Sequence, residues 1–149
     1  MHITSYTDYS LRVLIYLATM DEDRLATIQE IADGYGISRN HLMKVVHQLN
    51  RKGYIETIRG KNGGMRLHMS TDAINIGVLV REMEPDMSLV ECFSAENGCV
   101  ITPVCGLKSV FAEALRSFLT TLDRYTLADV LQPAHRPQLV RLLDIASAG

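Results

Sequence analysis

A change of hydrophobic period at Gly53 limits the possible folds of this chain more than any other feature. Upstream of it, four apolar residues recur at the spacing of one helical face: Leu42, Val45, Val46 and Leu49. Downstream, residues 54–58 and 65–69 have the patterns of two short strands. The pair Asn62-Gly63 lies between them, and Asn-Gly favours a hairpin because both residues tolerate a positive φ. The sequence therefore predicts a helix followed directly by a β-hairpin.

Two further helices are predicted before this unit. Helical spacing in residues 9–20 predicts a first helix that starts near Asp8. Thr27 and Glu30 fit the S/T-x-x-E capping box, in which each side chain accepts a backbone N–H of the other residue. This pattern favours the start of a second helix, and Ser38 can cap the third. Two helices joined by a tight turn and followed by a basic hairpin predict a winged helix-turn-helix.

The rest of the chain is also predicted to be helical, which gives a mainly α fold with a small β-hairpin wing. We assign residues 1–73 to the winged helix-turn-helix DNA-binding domain. Residues 74–149 hold a helix over 76–83, a loop, a long helix at about 106–123, a short turn over 127–131 and a tail without a clear pattern. Five apolar residues form a stripe on the long helix: Leu107, Phe111, Leu115, Phe118 and Leu122. The last four alternate four and three residues apart, which suits either a dimerisation helix or an intramolecular core.

Basic residues are concentrated in one part of the chain, although the net charge of the whole is −2. Residues 39–66 contain seven basic residues and one acidic residue, a local net charge of +6, so the remainder carries −8. This uneven distribution favours one face that binds a polyanion such as nucleic acid. A charged face that only contacts solvent is the simpler alternative.

The candidate DNA contacts fall at the start of the third helix and at the tip of the wing. A recognition helix presents its N-terminal residues to base edges in the major groove, where arginine and asparagine bind guanine and adenine through paired hydrogen bonds. Wing residues reach phosphates or the minor groove. The predicted contacts are Ser38, Arg39, Asn40, His41 and Lys44 on the helix, and Arg59 and Lys61 on the wing. Most proteins of this build bind palindromic double-stranded operator DNA as dimers.

All three cysteines lie in one loop: Cys92, Cys99 and Cys105, with the spacing C-x₆-C-x₅-C. The first residues contain no leader-like pattern, and no apolar run is long enough to span a membrane, so we expect a cytoplasmic protein with reduced thiols. Three thiolates can hold an iron–sulfur cluster, a zinc ion or no metal. Spacing does not identify a fourth ligand, because several other groups can fold near the loop, among them Asp8, Glu91, Glu96 and His68.

No motif favours an enzyme. The cysteine loop has no paired histidine and Asn/Asp pattern, and Gly63-Gly64 belongs to the wing and not to a phosphate-binding loop. Besides a cluster-based sensor, the sequence allows a zinc-stabilised DNA-binding module without a sensing role. The basic winged helix argues against an electron carrier.

Five stretches resemble the family of nitric-oxide-sensing bacterial repressors called NsrR. They are T-S-Y-T-D-Y-S-L-R-V-L-I-Y-L-A, I-S-R-N-H-L-M-K-V-V, R-G-K-N-G-G-M-R-L, I-T-P-V-C-G-L-K and S-F-L-T-T-L-D-R-Y-T-L-A-D, and the likeness covers Met1 to about Leu131. The resemblance implies a winged-helix homodimer whose long helix forms much of the interface. It further implies an iron–sulfur cluster held by the three cysteines, with Asp8 from the partner subunit's first helix as the fourth ligand.

The resemblance also implies a function: a repressor that binds palindromic operator DNA and releases it when the cluster is nitrosylated by nitric oxide. A 4Fe-4S cluster is favoured and a 2Fe-2S cluster is the alternative. In the related IscR family a histidine follows the last cysteine by three residues, but here that position is Lys108. An IscR-type ligand set is therefore not expected. A sensor of iron, cluster supply or redox state would use the same cluster, and Asp8 can instead simply pair with Arg12 at i,i+4.

Overall fold

The fold is mainly helical with one two-stranded hairpin, as the sequence predicts. The computed structural model describes residues 1–146. The helices are α1 Ser5–Thr19, α2 Ile28–Tyr35, α3 Arg39–Arg51, α4 Ile76–Met83, α5 Leu107–Leu122, α6 Leu127–Val130 and α7 Arg136–Leu142, and the strands are β1 Ile55–Ile58 and β2 Gly64–Leu67. Among the described residues, no helix is both long enough and apolar enough to cross a membrane.

The starts of the first three helices test the capping predictions. α1 begins at Ser5, because Thr4 accepts a hydrogen bond from the Thr7 backbone N–H, and so it starts earlier than the predicted position near Asp8. The capping box of α2 is confirmed, with both reciprocal bonds between Thr27 and Glu30 in place. Ser38 does occupy the N-cap position of α3, but its side chain makes no capping hydrogen bond, so that part of the prediction was wrong.

The wing forms as predicted, but its turn has a different geometry. β1 and β2 pair antiparallel, with Ile58 opposite Gly64. The positive φ, 115°, is at Gly60 and not at the Asn62-Gly63 pair. Gly63 is required for a steric reason, because a Cβ there would lie 2.0 Å from the backbone oxygen of Ile58. The hairpin was therefore predicted correctly, although Gly60 has the positive φ and Gly63 contributes only through its lack of a side chain.

The predicted apolar face of α3 is buried in the core. Leu42, Val45, Val46 and Leu49 are each at most 5% exposed. They pack with buried residues of α1, α2 and the hairpin, such as Leu14, Ile31 and Ile55. The core fixes α3 by one face only, and the opposite face of the helix stays accessible.

The end of the chain contributes to the same core, which the sequence analysis did not foresee. Leu143 and Ile145, which follow α7, are each 7% exposed and belong to the core cluster that contains α1 and α3. Gly34 of α2 lies so close to this segment that a Cβ would meet the Leu143 backbone oxygen at 2.9 Å. The segment after α7 therefore packs against the helices α1, α2 and α3.

Replacing Leu143 by alanine should lower the free energy of unfolding by about 2–4 kcal/mol, because it removes buried methyl groups and leaves a cavity. Urea unfolding at fixed protein concentration measures the change. The matched control is the neighbouring Leu142→Ala, whose side chain is 72% exposed and which should change the value by no more than about 0.5 kcal/mol. Equal effects of the two substitutions would contradict the docked tail.

Candidate functional site

The exposed face of α3 and the tip of the wing carry all seven predicted DNA contacts. Ser38, Arg39, Asn40, His41 and Lys44 are exposed on α3, and Arg59 and Lys61 are exposed on the wing. The buried apolar face described above lies on the other side of α3. The arrangement leaves these seven side chains accessible to a groove of DNA, and their contact with DNA stays a prediction.

The start of α3 is braced by α1 through aromatic contacts that the sequence analysis missed. The ring of His41 meets the ring of Tyr9 edge-on, with centroids 5.8 Å apart. The guanidinium of Arg12 lies 5.5 Å from the centroid of the Tyr9 ring and 5.9 Å from that of Tyr35, which is within the range of a cation–π interaction. The Tyr9 ring thus lies between the Arg12 guanidinium and His41 at the start of α3.

Asp8 forms an ion pair with Arg12 in this structure. Arg12 Nη2 donates to Asp8 Oδ2 at 2.8 Å, and Arg12 Nε donates to Oδ1 at 3.3 Å. Both side chains are less than half exposed, at 44% for Asp8 and 41% for Arg12. An i,i+4 pair of this kind stabilises a helix by only about 0.2–0.5 kcal/mol. Asp8 is therefore held in place weakly enough to be exchanged for another partner.

The N-terminus of α1 is tied to the end of α4 by a carboxylate. Thr7 Oγ1 donates to Glu84 Oε2 at 2.6 Å, and Thr4 donates to the same oxygen from its hydroxyl at 3.2 Å and from its backbone N–H at 3.3 Å. A negative charge is favoured at a helix N-terminus. Glu84 thus holds the first turn of α1, which carries Asp8. No local pattern signals this contact, because the partners are 77 and 80 residues apart.

The cysteine loop places three free thiols between α4 and α5. Cys92 is half-buried in a 3₁₀ turn, Cys99 is exposed, and Cys105 is half-buried just before α5. Hydrogen bonds within the loop fix its course, since Glu91 accepts from the Gly98 backbone N–H at 2.8 Å and Asn97 accepts from that of Cys99 at 3.1 Å. The loop is therefore shaped by its own side chains and contributes no residue to the core.

Within residues 1–146, no group of three or more His, Cys, Asp and Glu side chains is arranged to hold a metal ion. Asp8 forms its ion pair with Arg12, and His68 lies beside Glu56, with His68 Nδ1 3.6 Å from Glu56 Oε2. Glu96 is exposed on the cysteine loop, and Glu91 accepts the Gly98 bond just described. The three thiols of a single chain thus share one loop, but no three of the possible ligands in residues 1–146 are grouped to hold a metal ion.

The donor set itself suits a cluster. The three thiols are unpaired and accessible to different degrees, and thiolates are the ligands that iron–sulfur clusters and zinc prefer. Cys105 directly precedes Gly106, the N-cap residue of α5. The residues present therefore fit an iron–sulfur cluster in chemistry and accessibility.

Comparisons with known proteins cover most of the chain. Residues 3–133 match the Rrf2 family, described as iron-dependent transcriptional regulators. The chain is 54% identical over 132 residues to the HTH-type transcriptional regulator NsrR of Bacillus licheniformis, which covers 88% of this chain and 92% of that one. It is 53% identical over 146 residues to NsrR of Bacillus subtilis, which covers 97% and 99% of the two chains.

The fold also resembles solved structures. The crystal structure of a transcriptional regulator from Listeria innocua has a TM-score of 0.72 and 26% sequence identity, with 90% of this chain and 88% of that chain covered. The family match spans both the winged helix and the cysteine loop, so the likeness is not confined to one half of the molecule.

Proposed function

The chain belongs to the Rrf2 family of transcriptional regulators, and from this premise we propose that it is a nitric-oxide-responsive iron–sulfur repressor. It binds palindromic operator DNA as a homodimer and releases it when nitric oxide reaches the cluster. The observation that carries the proposal is the pairing, on one chain, of an accessible recognition helix with a loop that contains all three free thiols. Relatives named NsrR at 53–54% identity support the choice of signal.

DNA binding would use the seven exposed residues in two ways. Arg39 and Asn40, in the first turn of α3, are suited to paired hydrogen bonds with guanine and adenine. Arg59 and Lys61 on the wing are suited to phosphates, which fix the register of the protein on the duplex. Base recognition and positioning are thus assigned to different elements.

A second copy of the chain is the proposed partner of α5. No residue of this helix is buried within the chain. Four of its large apolar side chains are between 37% and 59% exposed: Leu107, Val110, Phe111 and Phe118. A groove of about 690 Å³ beside it is lined by further apolar residues, among them Ile3, Met87 and Leu89. An apolar face of this extent is typical of an interface. In a two-fold dimer each recognition helix would contact one half-site, about 34–36 Å from the other or a multiple of that distance.

Cys92, Cys99 and Cys105 would hold the cluster, and Asp8 of the partner subunit would be the fourth ligand. A 4Fe-4S cluster is favoured over 2Fe-2S, and when bound it supplies the iron that reacts with nitric oxide. Asp8 then has two possible partners, the cluster and Arg12. Arg12 lies against Tyr9, and Tyr9 contacts His41 at the start of α3. Three side-chain contacts, Asp8–Arg12, Arg12–Tyr9 and Tyr9–His41, therefore connect Asp8 to the start of α3.

The same features support the rest of the proposal. We assign the protein to the cytoplasm and to a non-enzymatic role, since its relatives are transcriptional regulators. A zinc-stabilised module without sensing, or a sensor of iron, cluster supply or redox state, would use the same winged helix and the same thiols. Metal content and response to nitric oxide distinguish these functions.

The proposed function is tested on protein purified without oxygen. Iron and acid-labile sulfide are measured per chain, and binding to an operator-containing duplex is measured at 50 and 200 mM salt, before and after nitric oxide. We expect about four irons and four sulfides, or about two of each. Affinity should fall by about 10³-fold or more between the two salt concentrations if six or more phosphates are contacted. Zinc in place of iron, or DNA binding that does not change on addition of nitric oxide, would contradict the proposal.

The role of Asp8 can be separated from that of its ion pair by comparing Asp8→Ala with Arg12→Gln. Both substitutions break the same pair, but only the first removes a ligand. Asp8→Ala should alter the visible spectrum and speed the loss of iron to a chelator by about tenfold or more, as expected for a disturbed metal site. Arg12→Gln should keep the wild-type spectrum. Identical spectra for the two variants, or a wild-type DNA response to nitric oxide in Asp8→Ala, would contradict ligation by Asp8.

A further inference from the structure

The last turn of α4 contacts three other parts of the molecule through three nearly consecutive charged residues. Arg81 bonds Asp123 at the end of α5, Glu82 bonds Tyr54 after α3, and Glu84 bonds Thr7 of α1. These contacts connect the end of α5, the segment after α3 and the start of α1 to one short segment. α4 is thus a structural link between α5, which we propose as the dimer interface, and α3, which we propose as the DNA-reading helix.

The connection between α4 and α5 is made at one end of α5. Both Asp123 oxygens accept from Arg81, at 2.5 and 2.8 Å, and the Asn75 side chain donates to the Asp123 backbone oxygen at 2.8 Å. The Arg81 guanidinium lowers the pKa of Asp123, so the pair remains ionised into the acid range. Gly77 leaves space for the Asp123 carboxylate, because a Cβ at this position would lie only 1.9 Å from one of its oxygens.

Backbone hydrogen bonds reinforce this end of α5. The Ile76 N–H donates to the Tyr125 oxygen at 3.0 Å, and the Leu127 N–H donates to the Ile74 oxygen at 2.8 Å. The rest of α5 contributes no buried residue within the chain. This anchor, which consists of residues 74–77, Arg81 and 123–127, therefore fixes one end of α5 relative to α4.

The connection between α4 and the DNA-binding face runs through Tyr54. This residue is the third after the end of α3, is 4% exposed, and its hydroxyl donates to Glu82 Oε2 at 2.7 Å. Its backbone N–H donates to the Leu49 oxygen of α3, and its backbone oxygen accepts from His68 beyond the wing. One side chain thus ties the end of the recognition helix and the base of the wing to α4.

We propose that the Arg81–Asp123 and Tyr54–Glu82 contacts are positioning contacts that set the separation of the two recognition helices, and hence the half-site spacing of the operator. The inference rests on the proposed dimer and on α5 as its interface. These four side chains need touch neither DNA nor cluster. They act by fixing the angle between the helix that pairs the chains and the helix that reads the bases.

The length of α5 makes the distance between the two recognition helices sensitive to small changes at these contacts. α5 has 16 residues and is therefore about 24 Å long. A change of about 10° at an anchor on one end displaces the other end by about 4 Å, slightly more than the 3.4 Å between successive base pairs. Loosening either contact should thus allow the protein to accept operators that differ by one base pair in spacing.

The test compares Asp123→Asn and Tyr54→Phe with the wild-type chain, all purified without oxygen. Wild-type protein first enriches duplexes from a library of two inverted, randomised half-sites joined by spacers of different length. Affinities are then measured for the enriched duplex, for versions with one base pair more or less, and for a single half-site. Asp21→Asn is the matched control, because Asp21 pairs with Arg136 at 2.9 Å and is 42% exposed, against 39% for Asp123.

We expect the ratio of affinities for the best and the altered spacing to fall at least threefold in both variants, with single half-site binding within twofold of wild type. Asp21→Asn should keep the wild-type ratio. Unchanged ratios in both variants, or an equal loss on every duplex including the single half-site, would overturn the positioning role. If the wild-type chain itself enriched no duplex, the DNA-binding function would fail, and this proposal with it.

Discussion

A Cys105→Ser chain purified without oxygen is expected to hold less than about a tenth of the wild-type iron. Cys105 is fixed just before α5 by a 2.9 Å bond from its backbone N–H to the Ile101 oxygen. Serine keeps the shape but replaces a soft thiolate by a hydroxyl that stays protonated, and two thiolates do not suffice for the cluster. Iron, acid-labile sulfide and visible absorbance per chain measure the loss.

The control for this substitution is Ser109→Ala, four residues further along. The Ser109 hydroxyl donates only to the Gly106 backbone oxygen at the start of α5, so its removal should leave the iron content unchanged. Cys105→Ser should also unfold at nearly the wild-type urea concentration, since the loop contributes no core residue. Wild-type iron content in Cys105→Ser would exclude this cysteine from the ligand set.

Arg39→Ala is expected to weaken binding to the operator by about 5-fold to 150-fold, which corresponds to about 1–3 kcal/mol for one lost base contact. Binding to non-operator DNA should change much less, because that binding depends on phosphates. Competition between an operator duplex and a scrambled duplex at fixed salt measures the difference. The expected result is lost discrimination at one base position, with the rest of the operator preference retained.

Arg51→Ala is the matched control, because Arg51 is an exposed arginine at the other end of α3. If it contacts DNA at all, it contacts a phosphate, so its loss should lower affinity uniformly and reduce the salt slope by about one. The opposite pattern, with discrimination lost in Arg51→Ala and kept in Arg39→Ala, would mean that the helix enters the groove from its other end.

Local signals in the sequence predicted most elements of the fold. α4 has the predicted bounds of 76–83, and the Thr27–Glu30 box begins α2 because both of its bonds join residues only three positions apart. α5 ends one residue before the predicted limit. These features depend on neighbours in the chain, so apolar period and capping residues suffice to locate them.

Contacts between distant residues were not predictable in this way. Nothing in the spacing indicates that Glu84 binds Thr7, that Tyr54 binds Glu82, or that Leu143 enters the core. The candidate site likewise has a part that local sequence patterns predict and a part that they do not. The predicted DNA contacts follow from one helix face and one hairpin. The proposed fourth ligand, Asp8 of the partner subunit, depends on how two chains meet, which a single sequence pattern does not encode.

The cysteine loop begins and ends on helices that are each secured elsewhere, and no residue between Met83 and Leu127 is fully buried. Many small metal-binding domains unfold when the metal is lost, because the metal supplies their folding free energy. Here the core would survive the loss. A regulator that has lost its iron would then stay folded and resist the proteases that degrade unfolded chains. The same molecule could bind iron again, so the cell would not need to synthesise a new one.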